Sequence, residues 1–282
     1  MMQYYAIALH KRNVFILFFT INFWIVLFII GSVFAEGMVD LGLEGHWSNN
    51  YGGFQAIEVL DGNIFSYHNE ECLYYAFCAT SRGMVVFSID EGKNSLKRQS
   101  MKLSLRSFIP IGNCNDIAIR KGDDNNFYAY LTARGKGVHI IKIEYPELLY
   151  YMVNLDTPGT SQSVALAPNR HYAFVADGYS GLQVIDISDP TTPFIAGSCD
   201  TPGEADGVTL SQNGHYALVA DGYSGLQVID ISDPTAPFIA GSCDTLGDGN
   251  KVVVSQDGHY ALVADGYSGL QVIDISDPTA PF

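Results

Sequence analysis

Basic side chains are scarce in this 282-residue sequence, which has 15 lysines and arginines against 30 aspartates and glutamates and a formal net charge of −15. The shortage is sharpest over residues 151–282, where Arg170 and Lys251 are the only basic residues and carboxylates are frequent. A surface this acidic repels nucleic acid and anionic lipid headgroups, so we exclude both as partners. Cations, basic proteins and neutral sugars remain as ligand classes.

Recognisable catalytic and metal-binding motifs are also missing. The sequence has no GxSxG nucleophile turn, no metalloprotease helix motif, no CxxC pair and no histidine spacing typical of zinc sites. Its five cysteines, an odd number, do not make a complete disulfide framework. Pairing of Cys72 with Cys78, or of either with Cys114, is open beside free buried thiols. We therefore expect a protein that is not an enzyme.

A long apolar run occurs at the N-terminus alone. Two basic residues precede an apolar stretch over residues 14–30, and Val33 and Ala35 fit the −3 and −1 positions of a signal-peptidase site. This pattern predicts a signal peptide over residues 1–35 and export of the rest to the periplasm, the cell surface or the medium. The alternative is an uncleaved membrane anchor over residues 14–35, because the run is nearly long enough to span a bilayer.

The stretch VADGYSGLQVIDISDPT occurs three times at a step of 44 residues, beginning at Val175, Val219 and Val263. Within one unit, GVTLSQ alternates apolar and polar residues and stops at Asn213 and Gly214, a hairpin turn signal. HYALVA and LQVIDIS follow, separated by DGYSG, and an Asp-Pro turn leads into PFIAGSCD. Four short strands in about 40–45 residues are typical of a propeller blade.

Weaker copies extend the repeat toward the N-terminus. Residues 127–146 match residues 171–190 at the same step, and an earlier copy has Gly83 in the position of Gly181. The sequence therefore predicts an all-β fold, a β-propeller of five four-stranded blades over residues 36–282. The predicted units are 53–107 and 108–156, which are degenerate, and 157–200, 201–244 and 245–282, the last of which is incomplete.

The fifth unit stops where its outer strand should begin, at Phe282. The segment MVDLGLEGHW precedes FQAIEV just as PFIAGSCD precedes GVTLSQ. We therefore expect residues 36–52 to supply the missing outer strand and to close the ring, which would leave no open sheet edge. In the alternative, the chain is a fragment of a longer repeat protein.

The units SGLQVIDISDPTTPFIAGSCDTPG and SGLQVIDISDPTAPFIAGSCDTLG resemble the LVIVD repeat, whose central strand corresponds to VIDIS here. The resemblance is close over residues 157–282. It is weak over residues 53–146, because ATSRG and TARGKG replace the ADG turn in the first two units. The family implies a β-propeller found in exported bacterial and archaeal proteins, usually at the cell surface. It provides no catalytic residues to carry over.

In propellers, the turns between second and third strands and the links between blades lie on one common face. Carboxylates on that face could hold Ca²⁺, and tyrosines could stack on a carbohydrate or anchor a protein at the cell surface. In the competing structural interpretation, each aspartate caps its own turn and Gly178 or Gly181 supplies a positive φ. The predicted binding rim comprises Tyr179, Tyr223, Tyr267, Asp177, Asp221, Asp265, Glu204, Asp206 and Asp248.

Two further sets of residues recur in the three clear copies. Aspartates within VIDIS lie between apolar neighbours, so they must be hydrogen-bonded, and we expect them to brace each blade. Histidines after the first hairpin turn would be spread around a ring, too far apart to share a metal ion. These residues are Asp186, Asp230 and Asp274, and His171, His215 and His259.

These patterns favour an exported, non-enzymatic module for recognition, adhesion or protein interaction. One alternative is a periplasmic or surface hydrolase whose site lies in the two degenerate blades, because three nearly identical blades cannot supply a unique catalytic group. Its candidate residues, found by elimination, are Glu58, Asp61, His68 and His139. The other alternative is a structural fragment that associates with another chain through an open blade edge.

Overall fold

The computed structural model describes residues 4–9, 14–21, 24–31, 42–44, 54–61, 72–92, 100–169 and 171–282. Nearly all elements in these ranges are β-strands. The one helical segment among them is Gly266–Ser268, a single turn of 3-10 helix. The all-β class predicted from the repeat is therefore confirmed.

Three strands at the N-terminus, β1 (Tyr4–Leu9), β2 (Val14–Ile21) and β3 (Trp24–Gly31), form an antiparallel sheet in chain order. They lie in the segment that the sequence predicts to be a signal peptide or a membrane anchor. In the described part of the chain, no helix has the length and apolar character needed to cross a membrane. Cleavage, anchoring and export stay predictions.

A short strand, β4 (Gly42–Glu44), precedes five sheets whose strands pair antiparallel in chain order, as in propeller blades. Blade 1 has β5 (Phe54–Asp61), β6 (Cys72–Thr80), β7 (Gly83–Gly92) and β8 (Ser100–Pro110); blade 2 has β9 (Cys114–Lys121), β10 (Phe127–Ala133), β11 (Gly137–Tyr145) and β12 (Leu148–Leu155); blade 3 has β13 (Ser163–Leu166), β14 (Tyr172–Ala176), β15 (Leu182–Asp186) and β16 (Phe194–Cys199); blade 4 has β17 (Gly207–Leu210), β18 (Tyr216–Ala220), β19 (Leu226–Asp230) and β20 (Phe238–Cys243); and blade 5 has β21 (Gly249–Val254), β22 (Tyr260–Asp265) and β23 (Leu270–Asp274).

Blade 4 shows why the repeat forms strands of this kind. β18 and β19 are apolar on both faces, because the blade is enclosed between two others, and their central residues are buried. The two strands pair in register from Tyr216↔Asp230 onward. The turn between them ends at Gly225, which has a φ of 69°. A Cβ at this position would lie 2.4 Å from the carbonyl oxygen of Cys243, so only glycine fits.

Apolar layers between successive blades make up the core. The face of a blade toward the next blade is called its forward face, and the opposite face its rear face. On the forward face of blade 4, Leu226 and Val228 are buried in one cluster with Val252 and Val263 from the rear face of blade 5. Full burial of such a side chain stabilises the fold by about 1.5–3 kcal/mol, so these layers hold the blades together.

The last blade departs from the others because it has three described strands. Its fourth position is begun by Phe282, whose backbone N–H and C=O both pair with Asp274. The strand β4, from the segment expected to complete this blade, instead pairs in parallel with β8, with Gly42 opposite Ser100. β8 is the outer strand of blade 1, and the edge of an outer strand can accept a further strand. The expected closing role of residues 36–52 is corrected to that extent; most of the segment lies outside the described residues.

Candidate functional site

The aspartates of the DGYSG turns are buried under the rim surface. In blade 4, the carboxylate of Asp221 accepts hydrogen bonds from Thr201 Oγ1 at 2.6 Å and from the backbone N–H of Gly203 at 2.9 Å. Burial raises the pKa of Asp221 above its ordinary value, and these two hydrogen bonds partly offset the rise. The same contacts join Asp177 to Thr157 and Gly159, and Asp265 to Thr245 and Gly247.

These contacts change the interpretation of the three aspartates. Each side chain is fully buried, so it is not on the surface of the rim where a ligand would bind. Each carboxylate binds the linker that enters its own blade, which is more than the capping of its own turn. The predicted positive φ is present at Gly178 (60°) and Gly181 (65°). The buried carboxylates are therefore structural clasps between a linker and the turn that follows it.

A second set of contacts fixes each linker from the other side. The backbone N–H and C=O of Gly178, in the blade 3 turn, pair with those of Ala205 in the next linker, both at 3.0 Å. Gly222 and Gly249 repeat this pairing one blade later. The linker over residues 200–206 is therefore held between two turns, and the acidic side chains it carries have a fixed place on the rim.

The three turn tyrosines are the exposed part of the predicted rim. Tyr179, Tyr223 and Tyr267, together called the tyrosine rim, have exposures of 79%, 81% and 101%. Each follows an aspartate–glycine pair whose aspartate is clasped below, so the backbone that presents the ring is rigid. A hydrogen bond with Glu204 is the main cause that raises the pKa of Tyr179.

The linker carboxylates lie close enough to one another to perturb titration. Burial, together with the charges of Glu204 and Asp248, raises the pKa of Asp206 to about 7, and Lys251 opposes this shift. Among the described residues, no three histidine, cysteine, aspartate or glutamate side chains are arranged to hold a metal ion. Calcium binding at the rim stays a prediction.

At the opposite ends of the strands, the recurring aspartates and histidines make local contacts. The Oδ1 atom of Asp186 accepts a hydrogen bond from the backbone N–H of Ser188, which starts the next turn. Nδ1 of His171 lies 3.0 Å from Oγ of the same serine, and the histidine is exposed. Blades 4 and 5 repeat both contacts. The histidines are thus surface turn residues, and each aspartate braces a turn within its own blade.

A charged group between the inner strands was missed by the motif search. The Oδ2 atom of Asp116, on β9, accepts hydrogen bonds from Ser163 Oγ at 2.6 Å and Val164 N at 3.1 Å. It also lies 3.7 Å from Lys251 Nζ on β21. Burial, with a further contribution from the charge of Asp116, raises the pKa of Glu58 on β5 to about 7. The sequence did offer one signal, because Lys251 is one of only two basic residues in residues 151–282.

The other candidates of the hydrolase hypothesis do not join this group. Burial, assisted by Lys136, lowers the pKa of His139 to about 4, and its Nδ1 contacts Tyr151 Oη at 2.9 Å. Within the described part of the chain, no contact connects His139 with Glu58. The side chain of Asp61 and all of His68 lie outside the described residues.

Four of the five cysteines have described side chains, and all four are free thiols. Burial raises the pKa of Cys78 and of Cys114, so these thiols are poor nucleophiles at neutral pH. They therefore belong to the core rather than to a reactive site. The free thiols are Cys78, Cys114, Cys199 and Cys243.

A profile described as the LVIVD repeat matches residues 158–201, 202–245 and 246–282. Residues 158–282 are therefore three consecutive LVIVD repeats, which confirms the resemblance found in the sequence. No curated protein matches the chain significantly.

Similar solved structures include several β-propellers. Sqt1 from Chaetomium thermophilum matches with a TM-score of 0.59 at 12% identity, over 98% of this chain and 66% of that one. The β-propeller domain of Cps50 (Swd1) from Myceliophteria thermophila matches with a TM-score of 0.56 at 12% identity, over 80% and 67%. A functionally unknown protein from Desulfotomaculum acetoxidans matches with a TM-score of 0.54 at 12% identity, over 96% and 75%. At this identity the similarity shows the fold alone, and it confirms the propeller.

Proposed function

Because residues 158–282 are LVIVD repeats in a β-propeller, we propose that the protein is a non-enzymatic binding module that captures a protein partner on the tyrosine rim. One observation carries the proposal. Three tyrosines with exposures of 79–101% stand on turns that buried aspartates hold in place. Tyrosine is enriched among residues that dominate binding energy, and a rigid surface loses little entropy on binding.

The electrostatics of the rim favour a basic partner. Glu204, Asp206 and Asp248 lie between the tyrosines, and the chain has a formal net charge of −15. Positive side chains of a partner would be attracted to these carboxylates and to the faces of the tyrosine rings. A structure of Sqt1 contains the N-terminus of the ribosomal protein L10, which supports peptide capture as a use of this fold.

A binding array separates a protein partner from a carbohydrate. The full chain is applied to arrays of peptides that vary in charge and aromatic content, and to a glycan array. We expect binding to basic peptides that the Y179A/Y223A/Y267A variant loses. The H171A/H215A/H259A variant, which alters the exposed histidines at the other ends of the strands, is the matched control and retains it. Binding that survives in the tyrosine variant would contradict the proposal.

Export to the cell surface is part of the proposal and rests on the N-terminal sequence. Val33 and Ala35 fit a signal-peptidase site, so secretion would remove residues 1–35. The intact mass of the protein, expressed in a host with a signal peptidase, reports this directly. We expect the mass of residues 36–282, whereas a full-length, membrane-associated product indicates the anchor.

Hydrolysis in the degenerate blades is a second candidate, favoured by one observation. Glu58 has a pKa raised to about 7 and lies near Asp116, so it could act as a general acid or base near neutral pH. A panel of chromogenic esters, phosphates and glycosides tests this candidate. Turnover by the wild type that the E58Q variant loses would support hydrolysis. If no substrate is turned over, the result speaks against hydrolysis and in favour of the binding function.

A further inference from the structure

A cleft opens between blades 4 and 5 at the ends of the strands opposite the tyrosine rim. One wall is the turn between β17 and β18, and the other is formed by residues 257–259 of blade 5 together with Ser276 and Pro278. The cleft has a volume of about 260 Å³. Pockets for drug-sized ligands measure about 300–1,000 Å³, so this cleft suits a smaller molecule or a single side chain.

The floor of the cleft is apolar. Leu218 and Val228, from the forward face of blade 4, meet Ile275 of blade 5 there, and each of the three is at most 6% exposed. Tyr216 and Pro278 also line the cleft and are half-buried. A ligand that covers this surface gains free energy from removing apolar area from water. The part of the ligand that enters the cleft is therefore a hydrocarbon chain or ring.

The preceding interface has a larger side chain at the position of Leu218. Phe174 stands 44 residues earlier and is buried between blades 3 and 4. Pro168, in the position of Gln212, approaches the next turn there, with its Cδ 3.8 Å from a Cβ added at Gly214. Because leucine is smaller than phenylalanine, Leu218 leaves room at the floor of the cleft between blades 4 and 5.

Gln212 connects the two walls of the cleft. Its Nε2 donates hydrogen bonds to the backbone carbonyl of Ser255, at 3.3 Å, and to that of Gln256. These contacts hold the turn of blade 4 against the turn of blade 5. The cleft is therefore formed before a ligand arrives, which lowers the entropy lost on binding.

One carboxylate determines the charge of the cleft. Among the described residues that line it, none is a lysine or arginine, and Asp257 is the one acidic residue. Its Oδ1 accepts hydrogen bonds from Ser255 Oγ at 2.5 Å and from the backbone N–H of His259 at 3.1 Å. The hydrogen bond from Ser255 is the main cause that lowers the pKa of Asp257, so the carboxylate is ionised at neutral pH. Both contacts use Oδ1, so Oδ2 can accept a hydrogen bond from a ligand.

The charge of Asp257 is not needed to form its turn. In blade 4 the same position holds Asn213, whose Oδ1 accepts the two equivalent hydrogen bonds, from Ser211 Oγ at 2.7 Å and from the backbone N–H of His215 at 3.0 Å. An uncharged side chain thus makes the same turn. The additional negative charge in blade 5 is therefore available to a positively charged ligand.

We propose that the cleft between blades 4 and 5 binds a small organic cation, an apolar chain or ring that ends in an amine. The apolar part covers Leu218, Val228 and Ile275, and the ammonium group donates a hydrogen bond to Oδ2 of Asp257. A free amine and a lysine side chain of a peptide share this chemistry. The cleft lies at the opposite ends of the strands from the tyrosine rim, so this site is independent of the proposed partner of the rim.

Ligand-observed NMR titrations of the full chain at pH 8 test the proposal with phenethylamine, phenethyl alcohol and phenylacetate. These probes share a ring and differ in charge, because an alkyl amine is protonated and a carboxylic acid ionised at this pH. We expect phenethylamine to bind with a Kd on the order of 1 mM, as suits a ligand of this size, and phenylacetate to bind at least about tenfold more weakly. The tripeptide Gly-Lys-Gly separates the two sources: tighter binding than that of phenethylamine indicates a peptide, and weaker binding a free amine.

The L218F variant introduces into the cleft the side chain that Phe174 provides in blade 3. It should weaken the binding of phenethylamine at least about tenfold, because the larger ring occupies the floor. The matched control is L262F, the same change at the equivalent, half-buried position of blade 5, outside the cleft. L262F should bind phenethylamine as the wild type does.

The D257N variant tests the charge, and Asn213 shows that the turn accepts an asparagine. We expect its affinities for phenethylamine and phenethyl alcohol to become equal, whereas the control D189N, in an exposed turn of blade 3, keeps the preference for the amine. Thermal melts show whether each variant is folded, and D257N provides the readout if L218F is not. The proposal is overturned if phenethylamine does not bind at about 10 mM, if phenylacetate binds as tightly, or if both cleft variants bind as their controls do.

Discussion

Lys251 Nζ lies 3.7 Å from Asp116 Oδ2, although these residues belong to the inner strands of the last blade and of blade 2. An ion pair between blades so far apart in the sequence means that the blades curve around a common axis. Both partners retain some solvent contact, with side-chain exposures of 45% and 18%, so solvent screens the attraction.

The K251A variant should therefore cost little stability. A partly exposed ion pair contributes about 0–1 kcal/mol, and we expect a loss of that size in urea denaturation. The Asp116 carboxylate keeps its hydrogen bonds from Ser163 and Val164 in the variant. A loss above about 3 kcal/mol would contradict this expectation, because it would mean that Lys251 stabilises the fold by more than a partly exposed ion pair can.

The buried clasp in blade 4 should be sensitive to a nearly isosteric change. In the D221N variant one carboxylate oxygen becomes an NH₂ donor, so the amide oxygen can accept from the Gly203 N–H only if the Thr201 hydroxyl accepts from the NH₂ instead of donating, and both hydrogen bonds lose their charged acceptor. We expect a loss of about 1–3 kcal/mol in thermal or urea denaturation. The control D233N alters an exposed turn aspartate, and an asparagine can accept the same hydrogen bond from the backbone N–H of Thr235, so we expect its stability to stay close to that of the wild type. Equal losses in both variants would contradict the clasp.

Two equivalent turn glycines separate backbone strain from steric conflict. Gly225 and Gly269 both have positive φ, at 69° and 78°. A Cβ at Gly225 meets the carbonyl of Cys243, whereas a Cβ at Gly269 meets nothing within 4 Å. We expect G269A to cost about 1–2 kcal/mol for its left-handed backbone. G225A should cost about 2 kcal/mol more because the outer strand must move. Equal costs in denaturation experiments would show that the outer strand yields freely.

The raised pKa of Asp206 makes a prediction about pH. A carboxyl whose folded pKa is raised contributes stability that is present below its unfolded pKa and lost as pH rises through the folded value. Here the window runs from about 4 to about 7. The D206N variant lacks this loss, so its stability relative to wild type should rise by about 1–2 kcal/mol between pH 4.5 and 8, after allowance for solvent screening. A difference that does not vary with pH in urea titrations would contradict the shift.

The blades could be predicted from the sequence because their signals are local. The turn glycines Gly181 and Gly225 and the apolar strands act over a few residues each, and the 44-residue step repeats these local signals from blade to blade. The exposure of the tyrosine rim followed from the same turns. The clasp of Asp221 could not be predicted, because Thr201 is 20 residues away and reaches the carboxylate only when the linker folds back over the turn.

Features that depend on the angles between blades could not be predicted from the sequence either. The approach of Lys251 to Asp116 requires the angle between blades, which no local pattern encodes. β4 could have paired with the outer edge of blade 1 or of blade 5. The repeat pattern predicted blade 5, whereas β4 pairs with β8 of blade 1.

The central claim is that the tyrosine rim binds a partner, and the affinity of the best ligand from the arrays tests it most directly. Its Kd is measured by titration calorimetry for the wild type, for Y179A/Y223A/Y267A and for the control H171A/H215A/H259A. The loss of three anchoring rings should weaken binding at least about 100-fold, which corresponds to about 2.8 kcal/mol, while the control binds as the wild type does. The same Kd in all three proteins would contradict the account.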